Sequence, residues 1–285
     1  KKKLKKKNIM TKKRSQRDLS PDKRTNKKYK KEIPEKKLEG WDKESYGKPY
    51  LIKKSLKKPE VVVLIVAYIP EKKNQVEIRL HDSCKVAIDM ATGFKKINII
   101  PAVIFMTNQP KLYKNKVLTN VEELWTLETN ANNPNTRRGY GLRLGHFLYS
   151  SIPHFLCDGR RKLTEKSDLK KITVSVQNFS DDGKTVGYFN QQDGRAGFNI
   201  WCTTQVVAFK PPLNRYWDIP KCFDENPGCI LEDFTAIGYM LKLGCSFVKL
   251  DGRKWSVSKK KRGSKKKCGG TKSLLRPNKG IKGSN

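Results

Sequence analysis

The fold of this chain is decided by the stretch from Val61 to Ser83, which reads VVVLIVAYIPEKKNQVEIRLHDS. It opens with an aliphatic run that ends at a proline, and a charged turn follows. An unbroken apolar run of this kind is typical of a strand that is buried on both faces of a sheet. After the turn, apolar and polar residues alternate, which predicts a second, half-exposed strand that ends at Asp82.

Further segments on the C-terminal side of this pair also have the composition of strands. One helix is predicted over 230–244, where apolar residues recur at helical spacing before a closing glycine. About eight strands with few helices predict a mainly β fold, a single jelly-roll-like β-sandwich with a few short helices. The additional predicted strands cover 96–107, 123–129, 144–152, 170–179, 184–190, 197–210 and 245–252.

Charge divides the chain into three parts. The formal net charge is +35, of which residues 1–58 carry +17 and residues 253–285 carry +13. We therefore predict a disordered basic N-terminal arm over 1–58, a β-sandwich core over 59–252 and a disordered basic C-terminal tail over 253–285. Residues 1–9 precede the first methionine, Met10, and are expected to lie upstream of the true start. Within the arm, the three aromatic residues between Trp41 and Lys54 predict packing on the core, with stacking on bases as the alternative.

Basic arms of this kind attract polyanions, because each neutralised phosphate releases a condensed counterion. Nucleic acid is favoured over anionic membrane, since neither arm has the apolar face of an interfacial helix. Lysine outnumbers arginine, which favours contact with phosphates over reading of base edges. The predicted partner is single-stranded nucleic acid, RNA rather than DNA, bound without sequence specificity. The predicted contact residues are Lys12, Lys13, Arg14, Arg137, Arg138, Lys259, Lys260, Lys261, Arg262, Lys265, Lys266 and Lys267.

Motifs for catalysis or metal binding are not recognisable in the sequence. The seven cysteines include no CxxC pair, and zinc sites require closely spaced pairs. Chance clustering of His146, His154 and Cys157 is not expected to make a metal site. The sequence has no P-loop, no G-x-S-x-G, no HExxH and no dinucleotide fingerprint. We therefore predict no catalytic residue, no metal, no cofactor and no small-molecule substrate, and the chain is not predicted to be an enzyme.

The strand pair and the segment after it resemble the core of plant-virus movement proteins of the 30K superfamily. The matching residues are VVVLIVAYIP at 61–70, VEIRLHD at 76–82 and FKKINIIPAVIFMT at 94–107. The resemblance implies that Asp82, Pro70 and Pro101 occupy motif positions, of which the aspartate is the most characteristic. The family often has an acidic residue after the proline strand, where this chain has Asn108-Gln109-Pro110.

What this resemblance implies is a viral movement protein that carries the viral genome from cell to cell. Host cell-wall channel proteins or membrane-associated proteins are then expected partners, and self-association is considered as well. The expected location is the cytoplasm and plasmodesmata of the host cell, with passage through the nucleus if 259–267 acts as a localisation signal. Two alternatives stay open: a jelly-roll viral capsid protein that packages nucleic acid through its basic arm, and a ribosomal or mitoribosomal rRNA-binding protein.

Overall fold

The structure is a computed structural model, and it describes residues 38–116, 118–131, 134–163, 165, 167–191, 206–211, 237–238 and 240–257. Contacts between Cα atoms divide the chain into residues 1–39 and residues 40–285, and the fold below is that of the second unit. Residues 1–37 and 258–285 lie outside the described residues, so the predictions for the two basic arms stay predictions. Among the helices that the structure describes, none is both long enough and apolar enough to cross a membrane.

Nine strands and five helices are defined in the described part of the chain. The helices are α1 (Lys43–Tyr46), α2 (Lys73–Lys96), α3 (Lys111–Lys114), α4 (Pro134–Leu148) and α5 (Leu169–Gln177). The strands are β1 (Lys48–Lys53), β2 (Val61–Val66), β3 (Pro101–Thr107), β4 (Glu123–Glu128), β5 (His154–Asp158), β6 (Arg161–Leu163), β7 (Thr185–Gln191), β8 (Val206–Phe209) and β9 (Ser246–Ser256).

All nine described strands form one mixed sheet with the order β1-β4-β3-β2-β5-β8-β7-β9-β6. Strand β2 pairs in parallel with β3 on one side and with β5 on the other, and β4 continues in parallel beyond β3. The chain therefore runs outward from β2 through β3 to β4, and then returns to the opposite side of β2 as β5. This reversal of strand order is the arrangement of doubly wound α/β sheets.

Strand β2 confirms the prediction of a strand buried on both faces. All six of its residues are buried, and its two neighbours in the sheet are both parallel. Val63 and Ile65 belong to the apolar cluster that also contains Met90 of α2. Helix α4 lies against the other face, where Gly145 approaches Leu64. A continuous aliphatic run suits this position because neither face of the strand contacts water.

Helix α2 contradicts the prediction of a second strand at 76–82. The alternation that predicted a strand spans only seven residues, and Ile78, expected to point inward, is 54 % exposed. Beyond Asp82 the buried positions follow a helical period, and no glycine or proline interrupts the sequence between 71 and 92. A helix is the only regular structure that buries this longer pattern on one side. The buried residues of α2 are Leu80, Asp82, Ser83, Val86, Ala87, Met90, Ala91 and Phe94.

Helices α4 and α5 likewise replace strands that were predicted at 144–152 and 170–179. Helix α5 begins at the N-cap Asp168, whose carboxylate accepts a hydrogen bond from the backbone N–H of Lys171 at 3.0 Å. Its Ile172 and Val176, four positions apart, are buried, whereas Val174 is exposed. The fold is therefore α/β, and the prediction of a jelly-roll β-sandwich is wrong. The resemblance to the 30K superfamily is wrong as well, because its second strand is a helix here.

The segment from Trp41 to Lys54 packs on the core, as the first of its two interpretations predicted. Trp41 is buried, its ring lies 5.5 Å from that of Phe147, and its indole N–H donates to the carbonyl of Gly47 at 2.9 Å. Strand β1, which follows, pairs antiparallel with β4 and forms one edge of the sheet. This edge strand covers the side of β4 that would otherwise expose its hydrogen-bonding groups.

Ile65 provides a test of this core, because it is fully buried at the centre of β2. We expect Ile65→Ala to lower the free energy of unfolding by about 2–5 kcal/mol, since the change leaves a cavity that the sheet cannot fill. Leu56→Ala is the control, because Leu56 is fully exposed and its loss should change stability by less than about 0.5 kcal/mol. Urea unfolding followed by circular dichroism measures both. Equal effects of the two substitutions would contradict the fold.

His154 predicts a dependence of stability on pH. It is completely buried at the start of β5, where burial lowers its pKa to about 4, against the opposing effect of hydrogen bonds to Ile152 and Gly145. A histidine whose pKa is lower in the folded state stabilises the protein above its unfolded pKa of about 6.5 and loses this contribution as the pH falls towards 4. We expect His154→Gln to remove about 3 kcal/mol of the stability change between pH 7 and pH 4. Urea unfolding at pH 7 and at pH 4 measures this change, and a pH profile of His154→Gln that matches the wild type would contradict the prediction.

Candidate active site at the carboxyl edge

The candidate site lies where the chain reverses direction across the sheet, between the carboxyl ends of β2 and β5. Val66 near the end of β2 pairs with Asp158 at the end of β5, and Tyr68 follows two residues after Val66. Helix α2 follows β2 and helix α4 follows β4, so both begin at this same edge. In doubly wound sheets, ligands bind in the crevice that opens where neighbouring parallel strands connect in opposite directions. We call this region the carboxyl edge.

Arg137 is the most unusual side chain at the carboxyl edge. Only 2 % of it is exposed, and its Nε has no hydrogen-bond partner among the described residues. The guanidinium carbon lies 4.1 Å from the centre of the Tyr68 ring, and Tyr68 itself is 42 % exposed. Burial lowers the pKa of Arg137 and the neighbouring Tyr68 opposes this effect, but an arginine stays charged at neutral pH. A buried cation without a carboxylate partner is costly, and an anionic ligand would remove that cost.

The first turn of α4 supplies a second polar group at the same place. Thr136 is buried, and its hydroxyl oxygen has no hydrogen-bond partner. The free N–H groups and the positive dipole of a helix N-terminus favour anions. The helix is held close to the sheet, because a Cβ at Gly145 would lie 2.7 Å from the His154 ring and one at Gly141 would overlap Met106. These contacts hold the middle and the C-terminal half of α4 against the sheet, while Arg137 in its first turn reaches Tyr68.

Charged side chains of both signs lie on the α2 side of the carboxyl edge. Asp82 is 5 % exposed, and its Oδ2 lies 3.2 Å from Nε of Arg160, an ion pair that is not aligned as a hydrogen bond. Its Oδ1 lies 3.7 Å from Nδ1 of His81. Burial lowers the pKa of Arg79, the nearby charge of Arg160 lowers it further, and Asp158 and Asp82 oppose both effects. Asp82 and Asp158 therefore both oppose the mutual repulsion of the two arginines at the carboxyl edge.

Asp158 is directed towards the α4 side of the sheet. Its neighbour Cys157 belongs to the apolar cluster under α2, and successive side chains of a strand point to opposite faces. Asp158 therefore shares a face with Val66, its partner in the sheet, and with Tyr68 two residues further on. The carboxylate is half-buried at the end of β5 and can accept hydrogen bonds from a ligand in the crevice.

Metal-ligating side chains do not gather at this edge. Within the described residues, no three or more His, Cys, Asp or Glu side chains are placed to hold a metal ion. His154 packs against Gly145 of α4, whereas Cys157 lies in the cluster under α2, so β5 directs them to opposite faces. The polar groups of the carboxyl edge are thus suited to hydrogen bonding and to binding of an anion.

The structure separates the residues that the sequence had singled out. Asp82 lies in the interior of α2 and not at the end of a strand, and Pro101 begins β3. Pro70 is half-buried after β2. Arg137 and Arg138, which were predicted to contact nucleic acid, are buried in α4. The remaining predicted contacts, Lys12, Lys13, Arg14, Lys259, Lys260, Lys261, Arg262, Lys265, Lys266 and Lys267, lie outside the described residues.

Four residues of the carboxyl edge were missed by the sequence analysis: Tyr68, Arg79, Asp158 and Arg160. A signal for two of them was present, because Tyr68 and Asp158 stand directly after buried apolar segments, where parallel strands place functional groups. The segment containing Asp158 was overlooked because a strand was predicted at 144–152, where the chain forms the end of α4. Arg79 was predicted to lie on the exposed side of a half-exposed strand.

Comparison with known proteins finds similarity in structure alone. No family model and no curated protein matches this sequence. Three similar solved structures are a glycosyltransferase involved in the glycosylation of the major capsid of PBCV-1, 4-diphosphocytidyl-2C-methyl-D-erythritol synthase, and the galactosyltransferase LgtC in complex with donor and acceptor sugar analogs. Their sequences are 12 %, 10 % and 8 % identical, with TM-scores of 0.43, 0.42 and 0.42. The matches cover 68 %, 69 % and 66 % of this chain and 82 %, 90 % and 73 % of the three solved chains. Similarity at this level assigns neither a family nor an activity to the chain.

The functional predictions made from the sequence are corrected together. The movement-protein and capsid interpretations required a β-sandwich core, and the chain has a doubly wound α/β sheet instead. The rRNA-binding alternative, the absence of enzymatic activity and the absence of a small-molecule substrate are corrected too. Arg137, Tyr68 and Asp158 lie together at the carboxyl edge, which is the place where doubly wound sheets bind small ligands.

Arg137 allows a test of whether the carboxyl edge is built for stability or for a ligand. We expect Arg137→Met to leave the free energy of unfolding unchanged or to raise it by about 1 kcal/mol, because a buried cation without a partner is replaced by an apolar chain of similar length. The control is Arg143→Met on the same helix, where the arginine lies 4.0 Å from the ring centre of Tyr46. Urea unfolding without ligand measures both, and a loss of more than about 1 kcal/mol in Arg137→Met would assign Arg137 a structural role.

Proposed function

We propose that this chain is an enzyme, a transferase that takes a glycosyl group from a sugar nucleotide bound at the carboxyl edge. The observation that carries this proposal is the buried guanidinium of Arg137, which has no hydrogen bond at Nε and lies against the partly exposed ring of Tyr68. A cation and an aromatic ring side by side, at the place where doubly wound sheets bind ligands, suit a ligand that contains both phosphate and a flat ring.

The phosphate part of the ligand is assigned to Arg137 and the first turn of α4. A guanidinium can donate two parallel hydrogen bonds to phosphate oxygens, and charge-assisted bonds of this kind are about twice as strong as neutral ones. The hydroxyl of Thr136 and the N–H groups of the helix start add further donors beside it. An anion here would neutralise the buried charge of Arg137.

The other two parts of the ligand are assigned to Tyr68 and Asp158. The partly exposed ring of Tyr68 offers an apolar surface for a nucleobase, for which aromatic contact is favourable. The carboxylate of Asp158 accepts hydrogen bonds from hydroxyl groups, the role of acidic residues beside bound ribose in doubly wound folds. A sugar nucleotide is the class of ligand that combines a base, a diphosphate and several hydroxyls.

The proposed reaction breaks the bond between the sugar's anomeric carbon and the diphosphate oxygen, and an acceptor hydroxyl forms the new bond to that carbon. The bonding electron pair leaves with the nucleoside diphosphate, whose negative charge increases in the transition state. Arg137 and the start of α4 stabilise that charge, and donors already in place at a developing charge contribute most to catalysis. The proton of the acceptor hydroxyl passes to a base or to water as the new bond forms.

The proposal is tested by titrating the full chain with ADP-, CDP-, GDP-, UDP- and dTDP-glucose in a calorimeter at physiological salt, where weak binding to the basic arms is screened. We expect at least one of the five to bind, and Arg137→Met to weaken that binding by about tenfold or more, which corresponds to about 1.4 kcal/mol. Arg143→Met is the matched control and should bind as the wild type does. Tyr68→Leu should weaken binding, with Tyr46→Leu as its control.

Activity is measured with the sugar nucleotide that binds, as release of nucleoside diphosphate in the presence and absence of sugar acceptors. Release that depends on Arg137 supports glycosyl transfer, whereas release of a sugar phosphate would assign nucleotidyl transfer instead. Failure of all five ligands to bind at millimolar concentration would overturn the proposal. Binding that Arg137→Met leaves unchanged would remove the carboxyl edge as the site.

A further inference from the structure

Asp82 occupies an unusual position for a carboxylate that does not face the ligand. It lies in the interior of α2, is nearly completely buried, and forms an ion pair with Arg160 at 3.2 Å. Arg160 is two residues beyond Asp158, the carboxylate assigned to the ligand's hydroxyls. The ion pair therefore connects α2 to the short loop that leaves the end of β5.

Gly159 separates Asp158 from Arg160 and makes this loop easy to deform. A Cβ at this position would lie 2.5 Å from the carbonyl oxygen of Val66, so the loop passes too close to β2 for any larger residue. Glycine provides that close approach, but it leaves the backbone with more conformational freedom than any other residue. The backbone of the loop is held where the N–H of Val257 donates to the carbonyl of Arg160 at 2.9 Å, and the ion pair with Asp82 fixes the Arg160 side chain as well.

The charges around Asp82 explain why removal of its carboxylate would move the side chain of Asp158. Arg79 and Arg160 are close enough to repel each other, and both carboxylates, Asp82 and Asp158, counter that repulsion. Without the charge of Asp82, Asp158 would be the remaining carboxylate acting on the two arginines. Their attraction would draw its side chain towards α2 and away from the crevice.

A second ion pair on the same helix offers a comparison. Asp89, two turns after Asp82, forms an ion pair with Lys162 at 2.5 Å and with Lys85 at 3.1 Å. The pair of Asp89 with Lys162, like the pair of Asp82 with Arg160, joins α2 to the chain beyond β5. Lys162, however, lies within β6 and away from the loop at 158–160. Asp89 thus forms the same kind of ion pair as Asp82 and also attaches α2 to the chain beyond β5, but it is not connected to the ligand.

We propose that Asp82 is a positioning residue: by holding Arg160 it fixes the loop at 158–160, so that the carboxylate of Asp158 faces the sugar nucleotide. This inference rests on the proposed function for the identity of the ligand, but the holding of the loop can be measured without any ligand. Asp82 itself does not touch the ligand, and its effect passes through Arg160 and Asp158.

The first measurement is hydrogen exchange of the peptide covering 154–163, followed by mass spectrometry in the absence of ligand. We expect Asp82→Asn and Arg160→Gln to accelerate exchange at 158–160, and Asp82→Glu, which keeps the charge, to restore protection in part. Asp89→Asn should leave exchange at 158–160 as in the wild type. Unchanged exchange in both Asp82→Asn and Arg160→Gln would overturn the inference, whatever the chain binds.

The second measurement is binding of the same five nucleoside diphosphate glucoses. We expect Asp82→Asn to weaken binding by about tenfold, the effect that loss of an orienting outer partner has at ligand sites. In the double variant Asp82→Asn/Asp158→Asn, binding should be no weaker than in Asp158→Asn alone, because both changes remove the same contact. Additive losses in the double variant would overturn the inference. If the wild type binds none of the five, the proposed function fails, and the exchange measurement alone decides whether Asp82 holds the loop.

Discussion

Strand β2 is paired on both sides with parallel strands, and the rest of the sheet depends on this constraint. Parallel neighbours cannot be joined by tight turns, so every connection from β2 must cross a face of the sheet. Helices α2 and α4 lie against these faces and exclude water from the aliphatic run 61–66. Because the chain runs from β2 through β3 to β4 and then returns to pair β5 with the other side of β2, a crevice is expected at the carboxyl ends of the strands.

Basic side chains that hold the fold differ in their partners from Arg137, the basic side chain assigned to a ligand. Arg160 and Lys162 each form an ion pair with a carboxylate of α2, and these pairs attach that helix to the chain beyond β5. Arg137 is more deeply buried than either, yet its Nε has no partner and its nearest aromatic neighbour is an exposed tyrosine. A buried charge of this kind lowers the stability of the fold unless a ligand balances it.

The sequence was sufficient to predict the strands at the centre of the sheet and insufficient to predict what covers them. β2, β3 and β4 were recognised as strands because they are short apolar segments with clear ends. Helix α2 was missed because the residues from Val76 to Leu80 fit both a strand and the first turns of a helix. The apolar residues after Asp82, which fit only a helix, lie beyond the short segment on which the strand was predicted. Once α2 is taken as a helix, the alternation of strands and helices indicates a parallel sheet.

At the candidate site, the sequence singled out Asp82 and Arg137 but did not predict the elements in which they lie. Asp82 was singled out, but as the end of a strand and not as a residue in the interior of a helix. Arg137 was counted among exposed basic residues, because the sequence from 130 to 141 is rich in asparagine and glycine and resembles a loop. Its burial depends on Gly141 and Gly145, which bring α4 close to the sheet, and no local pattern predicts that contact.

The pairing of β2 with β5 also bears on how the molecule folds. It joins Val62 to His154, residues that are 92 positions apart, whereas β2 and β3 are separated by a single helix. Contacts between residues so distant in sequence form late, because closing the intervening loop costs entropy before the contact contributes anything. The segment from α2 to β4 can therefore assemble first on β2, and the crevice is completed only when β5 joins the sheet. Refolding chains should acquire most of their helix well before they can bind a ligand.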